Sequence, residues 1–542
     1  DWQLSHRNRF DPIDELGTRS SRCKAGVPGV GRLKCQLLSS SRFKGACRCS
    51  AIKMGKGACA EPRIKVEAPK SLKAEAPGLL QTLHRVVSDF INTSADTRAE
   101  YYRVDQMPRR PKEEQTPLSR DGEYTRAEVA KHASVDDCWI IVKGKVYDVT
   151  WFAPEHPGGR VIYTYGGKDA TDVFSAFHAG STWSKLSEYL IGRLTGDEAD
   201  APVDPIVSDF RDLRLKLKRE GMFNSSKPYY AMVAARTLSL AVAAYAALWL
   251  WGRSWAGFTA SAALLALFWQ QCGWLAHDLC HNQVFENRGW NTIGGLVVGG
   301  VWAGFSVDWW KGKHNTHHAA PNEVTAGGMP VDPDIDTLPL IAWSPDLLGT
   351  VKDPAYRAFL RMQHVLFFPL LTFARLSWAQ QSAAHPNHTA KHTANARPTA
   401  EKLSLLLHYA WLAAFALSRL RPLPALLYVA LAQLIAGFIL SLVFVQNHNG
   451  MEIYSATRDF FTAQIVSTRD IDGSLFNDFF TGGLNYQVEH HLFPTLPRHN
   501  LGRVRRMVME ICHKHGLAYE SCSLPQGTAK VLKTLADIAA LA

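Results

Sequence analysis

The chain has 542 residues, 46% hydrophobic and 20% charged, with a mean hydropathy of -0.12, which excludes a disordered polymer and a fibrous repeat. The net charge of +11 is uneven: Leu16–Ala60 holds ten Lys/Arg and no Asp or Glu, so the rest is almost neutral and a basic nucleic-acid-binding body is excluded. Apolar residues are bunched too, in four long runs between Ala231 and Val445.

Residues 1–60 form a basic leader, rich in Arg, Ser and Cys and without a clear amphipathic helix. It reads either as an organelle transit peptide or as a segment ahead of a start at Met54. Residues 61–117 are Pro/Lys/Glu-rich and read as a linker with one amphipathic stretch near Leu79–Ile91. Five of the ten cysteines lie in the leader. The others (Cys138, Cys272, Cys280, Cys512 and Cys522) stand singly, so they are expected to be reduced, buried thiols in a reducing compartment and not a disulfide framework.

Residues 118–197 have the texture of a small α+β module. Thr125 is placed to cap a helix, and Cys138–Val142 and Lys143–Val149 read as two strands around a Gly turn. His156-Pro157-Gly158-Gly159 is followed 22 residues later by His178, each amid aromatic and aliphatic residues. Two neutral imidazoles on opposite walls of an apolar cleft are what six-coordinate haem requires, and the Pro-Gly-Gly turn lets backbone approach the ligand closely. The module resembles a cytochrome b5 domain, and the matching positions imply His156 and His178 as the axial ligands of haem b.

Residues 198–226 are a charged connector in which Arg211–Glu220 reads as an interfacial helix or tether. Residues 227–542 then carry the apolar runs. Ala231–Trp251 and Trp255–Ala276 are separated by three residues and form one helical hairpin. Leu403–Ser418 and Ala425–Val445 form a second, and Trp and Tyr gather at several run ends as interfacial anchoring requires. Ile293–Val307 reads as interfacial or re-entrant. Two hairpins return the chain to its starting side, so every histidine cluster at the run ends emerges on the face that bears the haem module.

Those clusters are His277/His281, then His314/His317/His318, then His448, then His490/His491. Helix positions i, i+3 and i+4 share a face, so HxxxH offers two imidazoles and HxxHH three toward a common point. Eight imidazoles exceed the four ligands of a structural zinc and suit two first-row metals, with iron compatible with nitrogen ligation. Gln487 supplies either a ninth contact or a neighbouring hydrogen bond. Asp278, Glu489 and Asn447 are candidates to orient the rings. His385, His388 and His392 are assigned to solvent. His499, His513 and His515 fall in a basic segment, Pro497–Gly516, expected to rest on lipid headgroups.

QCGWLAHDLCH (271–281), WWKGKHNTHHAAPNE (309–323), DPDIDTLPL (332–340) and LNYQVEHHLFPTLPRHN (484–500) together resemble the membrane front-end fatty acyl desaturases of the delta-6/delta-5 kind with a fused cytochrome b5. The resemblance covers roughly residues 120–520. It implies a multi-domain chain: a cytochrome b5-like α+β haem domain, then an all-α, four-span membrane domain with a cytosolic His-rich di-iron cap. It implies two non-haem iron ions at His277, His281, His314, His317, His318, His448, His490 and His491, with Gln487 beside them.

The reaction it implies is the O2-dependent insertion of a cis double bond between an existing double bond and the carboxyl end of a polyunsaturated fatty acyl lipid. Electrons would come from an NADH-cytochrome b5 reductase through the haem. Residence in the endoplasmic reticulum is implied, and the leader keeps a plastid membrane open, as the sequence does the double-bond position and acyl carrier. A sphingolipid long-chain-base desaturase, a membrane fatty acyl hydroxylase and a b5-type electron carrier are the competing readings.

Overall fold

The computed structural model describes residues 120–196, 202–388 and 397–542, together with positions 81 and 85. The leader, nearly all of the linker, and His392 lie outside the described residues.

The first module is built on a four-stranded sheet. β1 (Gly122–Tyr124) leads into α1 (Arg126–Val129), whose N-cap Thr125 accepts from the Glu128 amide at 3.0 Å, as its sequence position predicts. β2 (Trp139–Val142) and β3 (Lys145–Asp148) pair antiparallel around Lys143-Gly144, both at positive φ (52° and 72°), the geometry of a tight hairpin turn. α2 (Thr171–Phe177) and α3 (Thr182–Leu186) follow, and β4 (Leu190–Leu194) returns between β1 and β3 to give the order β1-β4-β3-β2. Gly192 faces Gly122 across the parallel β1–β4 pair, where a Cβ would run into backbone.

The connector is no loose tether. α4 (Pro205–Arg219) buries Ile206, Val207, Phe210, Leu213 and Leu217, and this apolar face shares one core with Val173 and Phe174 of the haem module and with Phe461, Phe493 and Val504 of the C-terminal part. Arg211 grips Asp172 through two hydrogen bonds of 2.8 Å. The amphipathic period expected at an interface is present, but its apolar face is covered by protein.

α5 (Lys227–Trp251) and α6 (Trp255–Cys280) form the first hairpin. α7 (Val307–Ala319) carries the second histidine motif, and α8 (Ala374–His388) precedes the second hairpin of α9 (Pro398–Leu417) and α10 (Pro422–His448). The four expected helices therefore form. Among the described residues only α5 and α10 are long and apolar enough to cross a membrane. α6 falls short because it is the inner helix and carries polar groups used for packing. Gln270 donates to Ile439 O and Gln271 to Phe479 O, both at 3.0 Å, and Ser261 donates to Ala244 O at 2.7 Å. α9 begins five residues earlier than expected, at Pro398 in the first helical turn.

Within Ile293–Val307 the end of a helix, Arg288–Gly295, passes into a π-helical turn, Leu296–Ala303, that ends at Gly304 with φ 78°. Its displaced carbonyls find partners: His408 Nδ1 (3.1 Å) and Trp411 Nε1 (2.6 Å) meet Val301 O, and Arg375 Nη2 meets Ala303 O at 2.6 Å. The remaining labelled elements are α11 (Gln487–Leu492), α12 (Arg498–Lys514) and the two-residue parallel pair β5 (Asp470–Ile471) and β6 (Ser521–Cys522). The five described cysteines are free and buried, as expected.

Candidate metal centre and haem cleft

His156 ends a short 3-10 turn (Ala153–Glu155), and His178 follows the last residue of α2. Their rings face each other with centroids 5.9 Å apart across a cavity of about 520 Å³ whose walls include Ile140, Val149, Phe152, Val161 and Phe174. His156 Nδ1 donates to Gly159 O at 3.1 Å and His178 Nδ1 to Phe174 O at 3.0 Å, which selects the tautomer and leaves each Nε2 bare. Burial, then the neighbouring His156, pushes the His178 imidazole down to about 4, and burial lowers His156 as well. Two neutral imidazoles fixed by backbone in an apolar cleft fit an iron porphyrin.

The far wall of the same cavity belongs to the helical part. It includes Cys280, His281, Asn282, Arg288, Lys311 and Asn315. His281 in that wall and seven further imidazoles, all eight buried, assemble into two groups. The first contains His277, His281, His314, His318 and His490, and the second His317, His448 and His491. Within each group the ligating nitrogens lie within 4.8 Å of one another.

The expectation that the HxxHH motif aims three rings at one point is corrected here. At about 100° per residue, His314 and His318 point one way while His317, between them, points to the second group. The adjacent His490 and His491 diverge likewise. That split makes two sites from one set of motifs.

The donor chemistry fits metal ions. His277, His281 and His491 each bury an Nε2 with no hydrogen-bond partner, and Gln487 buries an unpartnered Oε1. Bare nitrogens also press on each other: His314 Nε2 and His490 Nε2 lie 2.9 and 3.1 Å from His318 Nε2. Burial, followed by the neighbouring imidazoles, holds His314, His318, His490 and His491 well below the usual histidine range, which keeps them neutral. Gln487 Nε2 is 3.3 Å from His448 Nε2, so this side chain borders the second group.

Several orienting groups were not foreseen. His317 Nδ1 meets Asp332 Oδ2 at 2.9 Å, His448 Nδ1 meets Ser467 O at 3.0 Å, and His491 Nδ1 meets Gln464 Oε1 at 2.8 Å. Burial pushes His317 down, but the carboxylates of Asp332 and Asp334 reverse this and raise it to about 9. The one usable signal was the run of Asp residues at 332–336; nothing in the sequence tied it to His317. Asp332→Asn is expected to weaken metal binding at the second group about 10–100-fold, read by iron titration of the apoprotein. Unchanged affinity would contradict the orienting role.

Of the three foreseen candidates, Asp278 lies 3.4 Å from His277 Nδ1, and its main bond is a buried ion pair with Arg498. Glu489 turns away from the rings to Tyr519 Oη at 2.9 Å, and Asn447 Nδ2 holds Arg469 O at 2.8 Å, so neither orients an imidazole. His385, assigned to solvent, pairs with Asp308 at 3.0 Å because α8 extends through it. His515 meets Asp209 at 2.6 Å, and α12 buries Arg498, Leu501, Val504 and Val508 against protein while Arg503, Arg506, His513 and Lys514 stay exposed on its other side.

Comparison with known proteins agrees with this geometry. The Cytochrome b5-like Heme/Steroid binding domain family matches residues 125–195, and the Fatty acid desaturase family matches residues 253–523. The chain is 49% identical over 416 residues to an acyl-lipid (9-3)-desaturase of Physcomitrium patens, covering 76% of this chain and 78% of that one. It is 37% identical to a Delta(8)-fatty-acid desaturase of Euglena gracilis (73% and 94% covered) and 34% identical to a Delta(6)-fatty-acid desaturase of Caenorhabditis elegans (75% and 95%). The chain belongs to the fatty acid desaturase family, oxidoreductases acting on fatty acyl chains, with a fused cytochrome b5-like domain, and its cofactors are haem and a pair of non-haem irons.

Proposed function

We propose that the protein is a front-end desaturase of the delta-6 or delta-5 type, placing a cis double bond between an existing double bond and the carboxyl end of a polyunsaturated acyl lipid. The observation that carries this reading is the pair of imidazole groups set directly behind one wall of the haem cleft. His277, His281, His314, His318 and His490 would hold one iron. His317, His448 and His491, with Gln487 beside them, would hold the other, and His156 and His178 would hold the haem. When bound, the irons supply the O2-derived oxidant that an unactivated C–H bond demands, and the haem supplies electrons singly.

The chain's own residues do the rest. Gly159 O, Phe174 O, Ser467 O, Asp332 and Gln464 fix ring orientation before any metal arrives. Burial of all eight imidazoles keeps water from the reacting centre. Four membrane crossings by α5, α6, α9 and α10 would set the haem and both histidine groups on one cytosolic face. There an NADH-cytochrome b5 reductase reaches the haem, in the endoplasmic reticulum or, with a transit leader, a plastid membrane.

The test is expression in yeast fed linoleic and α-linolenic acids, with double-bond positions read by mass spectrometry. New cis bonds on the carboxyl side of the existing ones are expected. A hydroxy acid without a new alkene, or a change confined to sphingoid bases, would overturn the reading.

A further inference from the structure

We infer that Phe177 is the side chain that carries electrons from the haem cleft to the five-imidazole group. The inference rests on the desaturase reading above and narrows its electron path to one residue. Phe177 is bonded directly to His178, which faces the haem cavity, and its ring stands edge-on to His318, with centroids 6.0 Å apart and planes at 87°. It brings a ring of the haem module against the histidine groups, and His318 sits among the other four imidazoles of its group.

The contact is held in place and not left to chance encounter. Arg288 Nη2 donates to Phe177 O at 3.0 Å. Two further bonds pin the module to the end of α7 and the turn beyond it: Tyr165 Oη to Ala319 O at 3.0 Å and Lys168 Nζ to Glu323 at 2.7 Å. With the shared core around α4, these fix the aromatic ring against the ligand it serves. The step is a one-electron transfer: a ferrous haem iron becomes ferric and a ferric non-haem iron becomes ferrous, with no bond made or broken. Two such transfers accompany each dehydrogenation, in which O2, two electrons, two protons and the two hydrogens removed from the acyl chain yield two waters. A direct path across the cavity wall at His281 is the competing route.

The experiment uses full-length protein loaded with haem and iron. The haem is reduced with one equivalent of dithionite and mixed with O2 and acyl substrate, and its reoxidation is followed by absorbance. Phe177→Leu and Phe177→Met are expected to slow reoxidation about tenfold or more, with haem spectrum, haem midpoint potential and iron content unchanged, and Phe177→Tyr to recover the rate. Product formed when excess dithionite and a viologen mediator reduce the irons directly reports separately on the desaturase reading. Wild-type reoxidation in the Leu and Met variants would overturn the inference in favour of the His281 wall. So would a slow rate that Tyr fails to rescue and that falls further with solvent viscosity, the mark of loosened docking.

Discussion

His314→Ala and His490→Ala are each expected to cut product by about two orders of magnitude or more while leaving the haem absorption spectrum intact. Both imidazoles reach the same group from different elements, α7 and α11, and both press on His318 Nε2, so losing either removes a donor that no neighbour replaces. His156 and His178 lie on the other side of the cavity wall and are held by their own module's backbone, which is why the haem should not notice. Gas chromatography of acyl methyl esters together with the haem spectrum makes the check. Retained product would reduce the protein to a membrane-anchored b5-type carrier.

The largest expected effect on stability belongs to Arg498→Ala. Arg498 Nε pairs with Asp278, Arg498 Nη2 donates to Trp274 O at 2.6 Å, and both partners of the ion pair are buried, at 4% and 2% exposure. Removing one member strands a charge where water cannot reach it, at a cost of about 3–5 kcal/mol. The pair ties the start of α12 to the end of α6, where His277 sits, so metal retention should fall with stability. Replacing both by apolar residues, Arg498→Met with Asp278→Leu, should cost much less, because no unpaired charge remains. Thermal denaturation of the detergent-solubilised protein measures both. A single variant as stable as wild type would show that the pair does not hold the joint.

The histidines were legible because ligands at helical spacing interrupt apolar runs, and a long apolar run with an imidazole at its end has few other uses. The haem cleft was legible for a similar reason, since a Pro-Gly-Gly turn beside one histidine and an aromatic setting for the second leave little else to build. What could not be read was which imidazole joins which group. That depends on the phase of α7 and α11 relative to α6 and α10, a tertiary quantity, and it separates His317 from His314 and His318. Asp332 and Gln464 were hidden because their partners are 15 and 27 residues away. The period of α4 revealed an apolar face but not its cover, since lipid and protein impose the same pattern. Polar residues interrupt the apolar run of α6 where it bonds to its neighbours.

The central claim, two separate imidazole-bound irons beside one haem, is met most directly by elemental analysis of pure, active protein with the haem quantified optically. The account predicts two non-haem irons for each haem. Active protein with no non-haem iron, or with one metal for each haem, would contradict it.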